Sequence, residues 1–241
     1  MSKIWYMFSN MEIKLKKTER TIENVVSAKS SAKKKTAPAK RWNNLVKSQD
    51  EQYQLKRQAV IAEASRAFGH LGYQNVSLDD IAKSLNVTKP ALYHYIKSKQ
   101  DLLYECHSLA MDIGDKVLDH ALVTEKTGIR KLESFISGYI NAFANELAAS
   151  TVLSEINAIP LEDRKRIIGR RRQFDLRLRK LVQEGIDDKT ITPCDPKLAV
   201  FWFMGAINGI PRWFSVSGEF SGAQIAESFV KFLMQGIQAQ R

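Results

Sequence analysis

Residues 77–104 (SLDDIAKSLNVTKPALYHYIKSKQDLLY) restrict the fold of this chain more than any other segment. Ser77 is followed three positions later by Asp80, a pairing typical of a helix N-cap. Asn86 tolerates the left-handed backbone that a tight turn requires. Pro90 falls in the first turn of a second helix, where its missing N–H does no harm. The segment therefore predicts two short helices joined by a tight turn.

The second helix is predicted to span about eight residues, a length typical of helices that lie in a DNA groove. It begins at Thr88, a candidate N-cap, and leaves Tyr93 and His94 exposed. Such a helix suits a DNA major groove better than a protein core. Ser98 with Asp101 forms a further capping pair, so a third helix begins there. The pattern predicts a helix-turn-helix, although spacing alone also fits an ordinary helical hairpin.

The side chains that would meet DNA follow from this geometry. Residues near the N-terminus of a groove helix project toward base edges, which makes candidate readers of Lys89, Tyr93 and His94. The positive ends of the helices favour phosphate contacts nearby, from Thr88, Tyr95 and Lys99. A packed aromatic is an equal alternative for Tyr95. The full predicted DNA-binding set is Ser77, Thr88, Lys89, Pro90, Tyr93, His94, Tyr95 and Lys99.

Residues 56–104 resemble the DNA-binding head of TetR-type bacterial repressors. The resemblance rests on the Phe68-Gly72-Tyr73 exit of the first helix, the Ile81-Ala82 core pair, and the segment LYHYIKSKQDLL. Two positions depart from the family pattern, with Pro90 where a small residue is frequent and Ile96 where Phe is usual. They bear on the operator sequence rather than on the family. The resemblance implies the same DNA-contacting positions, and we expect a homodimer on palindromic double-stranded DNA.

Composition predicts an all-α chain. The 241 residues include only 12 Gly and 6 Pro, and no strongly alternating apolar runs argue for sheet. No apolar run approaches a membrane span, and the N-terminus lacks a secretory apolar region, so we expect a cytoplasmic, nucleoid-associated bacterial protein without membrane contact. Cys106 and Cys194 lack metal-ligand spacing and are expected to behave as small buried hydrophobes.

We divide the chain into three parts: a basic extension of disordered composition (1–47), a helix-turn-helix DNA-binding domain (48–97), and a larger helical body for ligand binding and dimerisation (98–241). Residues 1–50 carry 12 Lys/Arg and 4 Asp/Glu, whereas residues 101–241 carry 18 of each. Basicity thus belongs to the end expected to meet phosphate. The extension is either a solvated tail, the product of an early start codon, or a basic arm along DNA.

Apolar periodicity and caps predict the helix bounds. Ser48 with Glu51 begins the first helix and Gly72 ends it. A long helix from residue 98 joins head to body and is the predicted lever between two sites. Later helices are predicted over 98–123, 129–147, 150–158, 161–184, 195–214 and 224–238. The last two are expected to pair with their copies in a four-helix dimer interface, and the stretch FWFMGAINGIPRWF is predicted to be buried on every side.

The basic run at 164–180 (RKRIIGRRRQFDLRLRK) has two interpretations. A solvated helix face is one. However, Arg171 shares an apolar stripe with Ile167 and Phe174, where a charge needs an acidic partner or an anionic ligand. Aromatic residues are candidate walls of an apolar cavity, with plain core packing as the alternative. The predicted ligand-binding set is Phe135, Tyr139, Phe143, Arg170, Arg171, Phe174, Trp202 and Trp213.

Residues 169–214 are similar to the body of TetR-type regulators of fatty-acid and related lipid catabolism. That resemblance implies an acyl-CoA thioester as effector, with the basic helix on its phosphates and an apolar tunnel for the acyl chain. We therefore predict a repressor of lipid-catabolism genes released by ligand. Two alternatives stay open: a TetR-type regulator of efflux or detoxification sensing a hydrophobic small molecule, and an architectural DNA-binding protein without ligand.

Enzymatic chemistry finds no support in the sequence. The four histidines show no HExxH or ligand cluster, and GxSxG, GxxxxGK[ST] and GxGxxG are absent. We expect no catalytic residue, no metal and no cofactor.

Overall fold

The computed structural model of the chain describes residues 48–145, 155–210, 213–214 and 218–237. The predicted extension, 1–47, lies outside the described residues, as does most of the helix predicted over 150–158. The described helices are α1 (Gln49–Leu71), α2 (Leu78–Ser84), α3 (Lys89–Leu92), α4 (Lys99–Thr124), α5 (Gly128–Asn145), α6 (Leu161–Asp187), α7 (Pro196–Gly209) and α8 (Gly222–Ile237). Short 3₁₀ turns cover Tyr73–Asn75 and Ile156–Ala158. The all-α prediction is confirmed.

The first helix begins and ends where the sequence predicts. The backbone N–H of Glu51 donates to the Ser48 hydroxyl at 3.1 Å, and the Glu51 carboxylate accepts from the Ser48 N–H at 2.8 Å. This reciprocal pair satisfies two N–H groups that the first turn leaves without helical partners. At the other end, Gly72 takes a φ of 83°, a backbone conformation that favours glycine.

The helix-turn-helix forms around a small apolar core. Ser77 caps α2 in a second reciprocal box with Asp80, and Asn86 supplies the turn with a φ of 53°. Buried side chains of α1, α2 and α3 pack with the first turns of α4, notably Ile81, Leu92 and Leu102. Because the head and the start of α4 share one core, a displacement of α4 has to be accommodated by the head.

The predicted eight-residue recognition helix is wrong in length. Regular helix covers only Lys89–Leu92, and the Thr88 side chain makes no capping hydrogen bond. The Leu92 carbonyl accepts from the N–H groups of both Tyr95 (2.8 Å) and Ile96 (3.1 Å), which closes the chain into a turn. This turn directs Ile96 into the core, where it is 3% exposed, so tertiary burial decides where the helix ends.

The body consists of α4 to α8 around a second apolar core. Helix α5 packs against α4, α6 and α8, and α6 packs against α7. Helix α6 continues past its predicted stop at Gly185 to Asp187. Gly185 instead permits close packing, since a Cβ on the facing Gly128 would lie 2.2 Å from the Gly185 Cα. The helix end predicted at this glycine is therefore wrong, and the glycine serves contact between helices.

The last two helices differ from the prediction in length and burial. Helix α7 ends at Gly209 rather than near 214. It is not buried all round in the single chain, because Leu198, Phe201 and Trp202 are each more than half exposed. Phe232 of α8 is 64% exposed as well. Among the described residues, no helix combines the length and apolar character needed to cross a membrane.

Candidate functional site

The predicted base readers lie together on the surface of the head. Tyr93 and His94 occupy the turn that follows α3 rather than a helix, and both are exposed. Thr88 and Pro90, at the start of α3, are exposed too. The buried Leu92 holds this short segment to the core from below. Residues 88–95, called the reader segment below, therefore present exposed polar side chains to solvent.

Lys89 already has a partner that the sequence did not suggest. Its ammonium lies 2.7 Å from the Asp79 carboxylate of α2, and both side chains remain well exposed. The hydrogen bond and charge of Asp79 raise the pKa of Lys89. Exposed pairs of this kind contribute little to stability, so Lys89 can exchange Asp79 for another acceptor at small cost.

Two further members of the predicted set are engaged within the head. The Ser77 hydroxyl donates to the Asp80 carboxylate at 2.6 Å, and this bond lowers the pKa of Asp80. The Lys99 ammonium lies 4.2 Å from the centre of the Tyr73 ring. Burial lowers the pKa of Lys99, and the charge of Asp80 opposes that shift. Ser77 therefore caps α2, and Lys99, at the start of α4, lies over the ring of Tyr73.

Tyr95 packs against an aromatic ring from the first helix. Its ring centre lies 5.1 Å from that of Tyr53, and the Tyr53 hydroxyl donates to the backbone carbonyl of His94 at 3.2 Å. Sequence reasoning did not predict this role of Tyr53. Its hydrogen-bond partner lies 41 residues away along the chain.

Most cations of the basic helix α6 face acidic partners. Arg170 pairs with Asp112 (2.7 Å) and Asp115 (3.0 Å) of α4, and Arg177 pairs with Asp115 (2.9 Å) and with Asp119. A groove of about 600 Å³ borders these ion pairs. It is lined by Asp115, Asp119, Arg166, Gly169, Arg170, Gln173 and Arg177. Carboxylates thus balance much of the positive charge of α6. The aspartates of α4 also link α6 to the helix that was predicted to act as a lever.

Arg171 points the other way, into the body. Its Nη2 atom lies 3.1 Å from Nδ1 of His107, a side chain of α4 that is fully buried. Burial lowers the pKa of the Arg171 guanidinium, and the nearby Tyr139 opposes that shift. The inward orientation that the apolar stripe predicted is confirmed. The histidine partner was not predicted, because 64 residues separate the two positions.

Three of the predicted cavity walls gather beside Arg171. The rings of Phe135, Tyr139 and Phe174 pack on one another with centres 5.2 to 6.2 Å apart. The structure does not bring the two tryptophans into this group, since Trp202 and Trp213 are 51% and 55% exposed in the single chain. The side chain of Phe143 lies outside the described residues.

Comparison with known proteins assigns the family. A model of the N-terminal domain of bacterial regulatory proteins of the tetR family matches residues 60–106. A model of the tetracyclin repressor-like C-terminal domain matches residues 125–237. The chain belongs to the TetR family. The first match lies over the helix-turn-helix and the second over helices α5 to α8.

Individual TetR-family relatives are distant. The chain is 31% identical over 125 residues to the transposon Tn10 TetC protein of Escherichia coli, and it spans 57% of that protein. The crystal structure of the TetR-family regulator PfmR from Thermus thermophilus superposes with a TM-score of 0.67 at 25% identity, covering 73% of this chain and 97% of PfmR. AibR in complex with isovaleryl coenzyme A and operator DNA gives a TM-score of 0.64 at 24% identity, covering 73% and 97%.

Proposed function

We propose that this chain is a ligand-responsive transcriptional regulator that binds operator DNA through the segment around α3. The observation that carries the proposal is the exposed pair Tyr93 and His94 on a helix-turn-helix whose underside is fixed by the core. A short rigid element with polar tips is what base-edge readout in the major groove requires. The predicted DNA contacts at Thr88, Lys89 and Pro90 border the same surface.

A dimer follows from the apolar faces of the last two helices. Leu198, Phe201 and Trp202 of α7 and Phe232 of α8 expose large apolar side chains in the single chain. Large apolar side chains left exposed on a single chain are typical of a protein interface. A second copy of the chain would cover it with two-fold symmetry, and the two heads would then address half-sites about 34 Å apart, or a multiple of that spacing.

For the effector we propose an acyl-CoA thioester, and for the regulated genes lipid or related acyl-CoA catabolism. Arg171 supports this because it holds a permanent positive charge inside the body, next to the aromatic group of Phe135, Tyr139 and Phe174. A desolvated guanidinium binds phosphate or carboxylate strongly, and often with two hydrogen bonds. The complex of AibR with isovaleryl coenzyme A gives a family precedent for this ligand class.

The contacts of α4 suggest how effector and operator communicate. His107, Asp112 and Asp115 of this helix touch arginines of α6, while Leu102 and Leu103 at its start belong to the core of the head. A ligand that competes for Arg171 would alter its contact with His107 and displace α4. That displacement would change the spacing of two heads in a dimer and release the operator.

A hydrophobic effector without phosphates is the second candidate, as in a regulator of efflux or detoxification. The ion pairs of Arg170 and Arg177 favour it, because their neighbours already supply carboxylates and leave less positive charge for a polyphosphate. The aromatic group beside Arg171 would still contact an apolar molecule. A regulator of either kind would act in the bacterial cytoplasm.

A thermal-shift series tests the effector proposal and separates these candidates. Short, branched and long acyl-CoA thioesters are compared with free coenzyme A and with uncharged aromatic compounds. A ligand at 100 times its Kd adds about 2.7 kcal/mol of stability, which is readily measured. Stabilisation by thioesters, followed by loss of operator binding, supports the first candidate. Stabilisation by uncharged compounds alone supports the second, and operator binding that no ligand changes supports an architectural role.

A further inference from the structure

The reader segment is too short to hold its own conformation. Helix α3 contains four residues, and Tyr93, His94 and Tyr95 follow in a turn. One helical turn fixes several backbone angles for a single hydrogen bond, so it does not persist without outside contacts. The buried side chains of Leu92 and Ile96 anchor the two ends of this turn. Both are buried and fix the inner side of the turn, whereas Tyr93 and His94 are exposed.

Tyr53 of α1 supplies a contact at that exposed side. Its hydroxyl donates to the His94 carbonyl at 3.2 Å, and its ring lies 5.1 Å from the ring of Tyr95 at an angle of 38°. The hydrogen bond and the ring contact act on neighbouring residues. Together they restrict the peptide between His94 and Tyr95, and so the direction in which the two reader side chains leave the backbone.

We infer that Tyr53 is a positioning residue for operator recognition: it fixes the turn after α3 so that Tyr93 and His94 meet their base pairs in one orientation. The inference rests on the proposed DNA-binding function. Tyr53 is 41% exposed and is not part of the buried core of the head. Replacing Tyr53 should therefore change the orientation of Tyr93 and His94 more than it changes the stability of the fold.

The consequence is a loss of sequence discrimination rather than of DNA binding as a whole. Contacts to phosphates hold a protein on any duplex, whereas base readout depends on the direction of a few side chains. A reader held in several orientations loses its preference at the positions it addresses. Tyr53 thus acts on the ratio of operator affinity to non-specific affinity.

The test uses the full-length chain and an operator selected by the wild type from a random-sequence duplex library. Affinities for that operator and for a scrambled duplex of the same length are measured for Tyr53→Phe, which keeps the ring and removes the hydroxyl, and for Tyr53→Leu. Tyr104→Phe is the control for loss of a tyrosine hydroxyl elsewhere in the chain, because Tyr104 of α4 packs against the core of the head. Melting temperatures are recorded for all variants.

We expect Tyr53→Phe to reduce the ratio of operator to scrambled affinity by about three- to tenfold, as befits one hydrogen bond, and Tyr53→Leu to reduce it further. Melting temperatures and scrambled-duplex affinity should stay near wild type, and Tyr104→Phe should keep the full ratio. An unchanged ratio in both Tyr53 variants overturns the inference. An equal loss on both duplexes also overturns it, since Tyr53 would then be a phosphate contact. A wild type that selects no operator refutes the proposed function itself, which keeps the two failures distinct.

Discussion

The head and the basic helix α6 both hold cations beside acidic side chains, yet they hold these charges in different ways. In the head, Lys89 has a carboxylate partner on an open surface and can exchange it. On α6, Arg170 and Arg177 are held by three aspartates of α4, and Arg171 is turned inward onto His107. A run of positive residues therefore does not by itself mark an anion-binding surface. The supply of acidic partners from neighbouring helices decides what each cation does.

The cations of the two regions therefore suit different functions. Exposed pairs such as Lys89 with Asp79 contribute little to stability and reorganise easily, which suits the proposed DNA-binding surface. A buried charge such as Arg171 is costly to leave without a partner, so its environment is sensitive to any ligand that competes for it. The first arrangement favours binding, and the second favours regulation.

The largest expected effect is on the effector. Arg171→Met should weaken binding of a stabilising thioester by about 2–3 kcal/mol, because it removes a desolvated, charge-assisted hydrogen bond. Calorimetric titration measures this, with Arg172→Met as the control, since Arg172 lies next in sequence but is exposed. Operator binding without ligand should persist, and release by ligand should fail. Full-strength thioester binding by a stably folded Arg171→Met protein would contradict the assignment.

The next effect concerns the readers. Tyr93→Ala and His94→Ala should each cost about 1–3 kcal/mol of operator affinity, since each removes a side chain that reaches a base edge, and each should relax preference at a small number of base pairs. Selection from a random library before and after the change measures both quantities. Both variants should still form dimers, which analytical sedimentation measures. If both variants protect the operator like the wild type, the reading element has been placed on the wrong segment.

The smallest expected effect concerns residues 1–47, which are also rich in Lys and Arg. If they act as free cations, their deletion should flatten the salt dependence of DNA affinity, with the log–log slope falling by about 0.9 for each phosphate that they neutralise. The preferred sequence should not change. Titrations against operator at several salt concentrations give the slope. An identical slope in the shortened chain would reduce these residues to an inert tail.

Local features were predictable from sequence because they depend on residues close together in the chain. The capping boxes at Ser48 and Ser77 and the turn at Asn86, with its positive φ, follow from spacing and residue type. The hydrogen bonds of both boxes join positions three residues apart. The inward direction of Arg171 follows from helical periodicity in the same way.

Contacts between distant segments were not predictable. The length of α3 depends on how Ile96 reaches the core, and periodicity does not report that. The acidic partners of Arg170 lie 55 and 58 residues away, and His107 lies 64 residues from Arg171. Gly185 shows the same limit, since helix-ending and helix-packing glycines look alike in a sequence. Which side chains pair with one another in the site depends on the tertiary structure, and helical periodicity in the sequence does not specify it.

The most direct test of the contrast between the two regions changes one exposed cation in each. Lys89→Gln and Arg172→Gln each remove a single positive charge from an exposed side chain. Operator affinity of the full chain is measured by fluorescence anisotropy at fixed salt. We expect a loss of about tenfold or more for Lys89→Gln, because it removes a proposed base-edge reader, and affinity near wild type for Arg172→Gln. Equal losses, or a larger loss for Arg172→Gln, would contradict the assignment of DNA recognition to the head.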